Sequence, residues 1–170
     1  MAHCGLFTAL LQQPPTRDNR DVNALVAAGA GFLLAVLWFD LMFDVQALRG
    51  REGVLPEAVL SSIAGYYRRV TTTARPMDRL VMLVMLVTLA AIVAEIVRGD
   101  VPAWVGWTSL VLAAAPITLA AARILPKAVR LGAREDTADR QSALARSVGR
   151  EHLLCLASIA ALLVLQIAAT

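Results

Sequence analysis

Four long stretches of this 170-residue sequence are almost free of charged residues. They span residues 22–39, 80–97, 101–122 and 152–170, and the one formal charge among them is Glu95. A helix rises about 1.5 Å per residue, so about 20 apolar residues cross a hydrocarbon core roughly 30 Å thick. The four stretches therefore predict four membrane-spanning helices.

The composition excludes the main alternatives to this fold. Hydrophobic residues make up 58% of the chain and charged residues 17%, with a mean hydropathy of +0.65. A soluble protein would lack the polar surface to cover four such helices, and barrel strands would alternate apolar with polar residues. We expect an all-α polytopic membrane protein, a four-transmembrane-helix bundle in one domain of residues 1–170. Its spans would cover about 22–43, 78–97, 102–123 and 152–169.

The basic residues predict the orientation. Thirteen of the 16 Lys and Arg residues lie between spans one and two or between spans three and four. The positive-inside rule then places loops 44–78 and 124–151 in the cytoplasm and both termini outside. The dominance of arginine, 15 of those 16 residues, is typical of GC-rich bacterial genomes, so we expect a bacterial inner membrane. Arginines that face anionic lipid explain the pI of about 9.4 without a nucleic-acid partner.

The first cytoplasmic loop contains a predicted amphipathic helix at about 56–70. Val59, Ile63, Tyr66 and Val70 recur at helical spacing, and proline at the start suits a first turn. We expect this helix to lie on the membrane surface. Its Tyr-Tyr-Arg-Arg sequence, residues 66–69, leaves open a lipid-headgroup or partner site.

Span one has two contrasting faces. Ala27, Gly31 and Ala35 form a stripe of small residues, which predicts a seam for close helix packing. Asp40 and Asp44 project from the opposite face, so a second packing surface exists or these acids lie outside the hydrocarbon.

Polar residues from all four spans converge at the predicted cytoplasmic edge. Asp40 and Asp44 share a helix face and would bind a divalent cation together with His152, bind a substrate, or form ion pairs with arginines from spans two and three. We favour ion pairs that lock the helix ends together. The candidate residues of this edge are Asp40, Asp44, Arg79, Arg123 and His152.

Glu95 adds a second candidate polar or ion site near the opposite end of span two. The favoured interpretation is an ion pair with Arg98 at i+3. The alternative is a proton-titrating carboxyl that shares an inward face with Thr88 and Ala91.

One face of span four carries the remaining polar candidates of the bundle. His152, Cys155, Ile159, Leu162 and Gln166 return to that face, where interhelical hydrogen bonds explain the polar members. In span three, Ser109 and Ala113 begin a looser stripe of small residues, and Pro116 predicts a kink.

The sequence gives no pattern for a cofactor, a metal centre or a catalytic group. The chain has two histidines, His3 and His152, too few within the bundle for a bis-histidine haem. Cys4 and Cys155 lie on opposite predicted sides and cannot form a dithiol pair. Phosphate-cradling, serine-hydrolase and zinc-protease motifs are absent from the sequence. We therefore expect no cofactor and lean against an enzyme.

The segment Leu-Trp-Phe-Asp-Leu-Met-Phe-Asp-Val-Gln at 37–46, with the double tyrosine and double arginine at 66–69, resembles uncharacterised four-span inner-membrane proteins of bacteria. The resemblance covers the overall plan and implies no activity. The chain is similar to small multidrug exporters in span number, but those are shorter and carry a key glutamate within span one.

Three functional hypotheses follow. The leading one is an accessory or structural component of a bacterial membrane assembly, with the lipid bilayer and other membrane subunits or a second copy as partners. The first alternative is a small dimeric transporter or channel that uses Glu95 or the pair Asp40 and Asp44. The second is a membrane-edge metalloenzyme built on those two aspartates and His152.

Overall fold

The computed structural model describes residues 17–49, 53–73 and 75–169, and it is helical almost throughout. Four of its helices are long and apolar enough to cross a membrane. The prediction of an all-α four-helix bundle is therefore confirmed. The helices are α1 (Arg17–Leu48), α2 (Glu57–Arg68), α3 (Arg75–Arg98), α4 (Ala103–Leu119), α5 (Leu125–Ala133) and α6 (Ala138–Ala168).

Two π-helical segments interrupt the helical path. Arg69–Thr73 follows α2 and leads towards α3, and Ala120–Ile124 connects α4 to α5. The second segment lies between Pro116 inside α4 and Pro126 at the start of α5. Each proline removes one backbone N–H donor, so the regular α-helical hydrogen bonding is interrupted and a π-helical segment forms between the two prolines. The predicted disturbance at Pro116 therefore takes the form of a π-helical segment close to it.

The spanning helices form a closed ring in which each contacts two neighbours. α1 packs against α3 and α6, and α4 packs against the same two helices from the other side. Inside the ring lies a core built from Val26, Ala30, Leu33, Ile92, Ala113, Ile159 and Leu162. The outward side chains of the ring are also apolar, as at Leu86, Val111 and Val164. A bundle that is apolar on both faces suits a lipid environment.

The predicted packing seam of α1 is wrong for this bundle. A Cβ at Gly31 would meet nothing within 4 Å, and Ala35 is exposed while Ala27 is only half-buried. α1 instead packs through the face that carries the aspartates, and its close approach is at Gly29, where a Cβ would clash with Thr88 Oγ1. The acids mark the inward face because their hydrogen-bonding partners lie inside the protein.

Helix α2 packs against protein through a face slightly rotated from the predicted one. Its buried residues are Leu60, Ile63, Ala64 and Tyr67. The main neighbour is α5, which approaches so closely that a Cβ at Gly132 would lie 2.9 Å from the backbone nitrogen of Arg68. Together with the N-terminal half of α6, the two short helices bury a second apolar core. α2 is therefore an integral part of the fold.

Candidate functional site

Asp44 is the most enclosed charged side chain of the predicted polar edge. It lies in the last two turns of α1 and is fully buried. The Tyr67 hydroxyl donates to its Oδ1 at 2.6 Å, and the Nδ1 atom of His152 lies 2.6 Å from its Oδ2. Both carboxylate oxygens therefore have a directed hydrogen bond, as a buried charge requires.

Asp40 lies one helical turn earlier on the same face. The Tyr66 hydroxyl donates to its Oδ1 in a short hydrogen bond. Its Oδ2 lies 3.9 Å from Nε2 of His152, which is too far for a hydrogen bond. The imidazole thus stands between two carboxylates, bonded to Asp44 and merely close to Asp40. We call these five side chains, Asp40, Asp44, Tyr66, Tyr67 and His152, the Asp–His–Asp centre.

The two tyrosines of the centre come from α2. The Tyr66 ring stacks on Phe43 with centroids 4.1 Å apart, and its edge meets Tyr67. Burial raises the pKa of both tyrosine hydroxyls, and the neighbouring carboxylates Asp44 and Asp40 raise it further. The hydroxyls therefore remain protonated donors at any physiological pH, and α2 is hydrogen-bonded to α1 through them.

A small cavity of about 110 Å³ reaches the centre from within the ring. All four spanning helices line it, with apolar side chains such as Leu37, Met85 and Ile159. Asp40 and His152 are the ionisable pair at its wall, and Cys155 also lines it. Asp44 does not line this cavity. The cavity is thus largely apolar, and the carboxylate that it reaches is Asp40, which has fewer hydrogen bonds than Asp44.

The predicted ion pairs of the aspartates with arginine are wrong. Arg123 extends to Glu151, with its Nε 3.4 Å from Oε1, and Arg79 is exposed and in no ion pair with a described residue. Glu151 also accepts from Lys127 Nζ at 2.6 Å. Neutral hydroxyls and an imidazole satisfy the aspartates without the cost of stripping water from a guanidinium.

The described residues do not form a divalent-cation site either. Within residues 17–49, 53–73 and 75–169, no group of three or more His, Cys, Asp or Glu side chains could hold a metal ion. His152 points its Nδ1 at an oxygen of Asp44 at hydrogen-bond distance, so these two groups face each other and not a common point. The metalloenzyme hypothesis therefore has no centre in the described residues.

Glu95 belongs to a separate polar cluster near the other end of the spans. Its Oε2 accepts from Nε2 of Gln166 at 3.3 Å, and the same amide nitrogen donates to Ser109 Oγ at 3.1 Å. Gln166 Oε1 in turn accepts from Nδ2 of Asn23 at 3.0 Å. One side chain from each spanning helix therefore meets here. We call Asn23, Glu95, Ser109 and Gln166 the Gln166 junction.

The predicted pair of Glu95 with Arg98 does not form. Glu95 is almost completely buried, and its Oε1 has no hydrogen-bond partner among the described atoms. Its placement inside the ring agrees with the alternative, inward-facing interpretation. Leu162 and Ile92, both fully buried, belong to the apolar core that packs between this residue and the cavity.

The tyrosines of the centre and Asn23 of the junction were missing from the sequence-based candidates. The sequence analysis left Tyr66 and Tyr67 open as a lipid-headgroup or partner site. Two adjacent hydroxyls in the loop that follows Asp40 and Asp44 are a signal that could have identified them as hydrogen-bond donors to these acids. Asn23 is a polar amide near the end of an apolar span, which is the same signal for interhelical hydrogen bonding that identified Gln166. No family model, curated protein or solved structure matches the chain.

Proposed function

We propose that this protein is a small transporter of a bacterial inner membrane that exchanges a solute for protons at the Asp–His–Asp centre. The supporting observation is the cavity inside the four-helix ring, which reaches Asp40 and His152. Ionisable residues within membrane spans are costly, and they commonly mark substrate or proton pathways. The acids and the imidazole supply groups that can gain and lose a proton beside a solute chamber.

The hydrogen-bonding pattern supports different proposed roles for the members of the centre. Asp44 holds His152 through Nδ1, so the other ring nitrogen is left on the side of Asp40. The tyrosines stay protonated, and we assign the change of proton number to Asp40 and His152 because these two residues line the cavity. A proton on this pair and a solute in the cavity then compete for the same acceptor, and that competition is the basis of exchange.

The orientation we propose keeps the arginine-rich connections in the cytoplasm. Basic side chains Arg68, Arg130, Arg134 and Arg150 are grouped on or beside α2, α5 and the first half of α6. Trp104 and Trp107 are exposed at the start of α4, beyond the turn after α3. Aromatic residues at one interface and arginines beyond the other suit a cytoplasmic centre and an outward-facing Gln166 junction.

Proton movement in liposomes tests the proposal. The full chain is reconstituted with a trapped pH-sensitive dye, a pH gradient is imposed, and small cationic, neutral and anionic solutes are added in turn. We expect at least one class to drive proton movement through the wild type and not through Asp40→Asn. Glu135→Gln, an exposed acid outside the centre, is the matched control and should keep the wild-type rate. Proton movement that no solute class alters would overturn the proposal.

A second candidate is an accessory or structural subunit of a membrane assembly. It is favoured by the saturation of both Asp44 oxygens and by the junction that ties all four spans together, which are features of static locks. Native extraction with mass determination of the intact particle tests it. A particle that contains other subunits supports this function, a homodimer supports the transporter, and a bare monomer counts against the subunit.

A further inference from the structure

The wall of the cavity in the ring is polar at one end only. Leu33, Leu37, Met85, Ile117 and Ile159 supply an apolar body, whereas Asp40 and His152 form an ionisable pole. A ligand that fills this space needs an aliphatic part and a single polar head. The volume of about 110 Å³ limits the whole ligand to a handful of heavy atoms, since benzene fits a cavity of about 150 Å³.

The charges that face the pole set the sign of that head. From α1 come the carboxyls Asp40 and Asp44, from α2 the neutral hydroxyls Tyr66 and Tyr67, and from α6 the imidazole of His152. The next acid along α6, Glu151, is neutralised by Lys127 and Arg123. The cavity wall contributed by the described residues includes no lysine or arginine. When both carboxyls are ionised they outweigh one imidazolium, so the pole in this state is negative even with His152 charged.

One acceptor in the pole is open. Asp40 Oδ1 is occupied by the Tyr66 hydroxyl, but Oδ2 is 3.9 Å from the imidazole and has no hydrogen bond from a described group. A carboxylate oxygen accepts readily from a cationic N–H donor, and such charge-assisted bonds are among the strongest in proteins. A neutral donor would leave the negative charge uncompensated, and an anion would be repelled.

We propose that this cavity binds a small protonated amine, with the ammonium group on Asp40 Oδ2 and a short aliphatic body between Leu37, Met85 and Ile159. This inference rests on the proposed function, because it names the solute class of the same site. Binding of a proton at Asp40 would remove the acceptor charge, so protons and the amine would displace each other.

Three molecules that share a tert-butyl body test the inference. Calorimetric titration of the full chain in a neutral detergent at pH 7 compares tert-butylammonium with tert-butanol, which is matched in size and differs in charge, and with the larger anion pivalate. Like lysine, the amine is fully protonated at this pH. We expect tert-butylammonium to bind at least ten-fold more tightly than the alcohol and pivalate not to bind. Equal affinity for the amine and the alcohol would overturn the inference.

Variants locate the binding. Asp40→Asn should weaken tert-butylammonium binding at least ten-fold, while Glu135→Gln should leave it unchanged. Met85→Phe keeps the Asp40 carboxylate but places a larger side chain at the half-buried wall of the cavity, so it should abolish binding. This variant tests the inference even if Asp40→Asn does not fold. Amine binding that survives Met85→Phe would overturn the inference.

The outcome separates this inference from the proposed function. Proton-coupled movement of a neutral or anionic solute, without tert-butylammonium binding, would keep the transporter and overturn the amine site. Binding of tert-butylammonium at Asp40, with no proton movement for any solute, would keep the amine site and overturn the transporter.

Discussion

The Asp–His–Asp centre and the Gln166 junction both bury a carboxylate between helices, but they surround it differently. Asp44 has a directed donor on each oxygen, and its imidazole partner borders a cavity. Glu95 has one donor, from an amide that is itself bonded to two other helices. The centre combines groups that change protonation with space for a solute. In the Gln166 junction the polar groups bond to one another and so join four helices. Apolar side chains pack between the junction and the cavity.

The largest effect should come from Asp44→Ala. The substitution strands the Tyr67 hydroxyl and His152 Nδ1 in a buried site, so we expect a loss of about 3–5 kcal/mol in unfolding free energy. Denaturant unfolding in detergent micelles measures it, with Glu135→Ala as the exposed control. A loss no greater than that of the control would show that the centre is not a stabilising contact.

Gln166→Leu should have the next largest effect. It preserves side-chain size but leaves Asn23, Ser109 and Glu95 without this amide, for an expected loss of about 2–3 kcal/mol. The lipid-facing neighbour variant Ile167→Leu should be close to neutral.

The double variant Asp44→Ala, Gln166→Leu then sharpens the comparison. If the two regions are independent, its loss equals the sum of the single losses within about 0.5 kcal/mol. A larger discrepancy would mean that the two ends act as one network.

Two glycines of α1 test the packed middle that separates the regions. Gly29→Ala places a methyl against Thr88 and should destabilise by about 1–2 kcal/mol. Gly31→Ala faces open space and should be neutral or stabilising by up to about 1 kcal/mol, since alanine favours helix. The opposite ranking in thermal unfolding would restore the small-residue stripe as the packing seam.

The smallest effect concerns the pH dependence of stability at the contact between α2 and the residue that follows α5. Arg134 donates two hydrogen bonds to Glu57 and lowers the pKa of this carboxyl. A lowered folded-state pKa contributes stability above the unfolded-state value, and this stability is lost as the pH falls through the folded-state value. Glu57→Gln should therefore slightly reduce the loss of unfolding free energy that the wild type shows as the pH is lowered into the acid range. Any pH effect assigned to the centre must remain in this variant.

The fold could be predicted because membrane crossing depends on length and polarity alone. The residues of the candidate site were partly predictable: Asp40, Asp44 and His152 meet, as their places near helix ends suggested. Their partners were not, because a tyrosine and an arginine are equally plausible neighbours until the packing of α2 is known. The choice of inward face on α1 also failed. In a helix that is apolar all round, small residues occur on both sides, and polar residues such as Asn23 and Asp44 mark the buried face.

Helix α6 supplies His152 to one polar region and Gln166 to the other, and it follows the other spans in the chain. A ribosome therefore delivers Asp44, Glu95 and Asn23 to the membrane before their partners from α6 exist. Without α6, Asp44 lacks the hydrogen bond to His152 and Glu95 lacks the one from Gln166, and unsatisfied polar groups are costly in hydrocarbon. Packing of α6 supplies the missing partner to both regions. The polar contacts at the two ends of the four-helix ring therefore depend on the same helix.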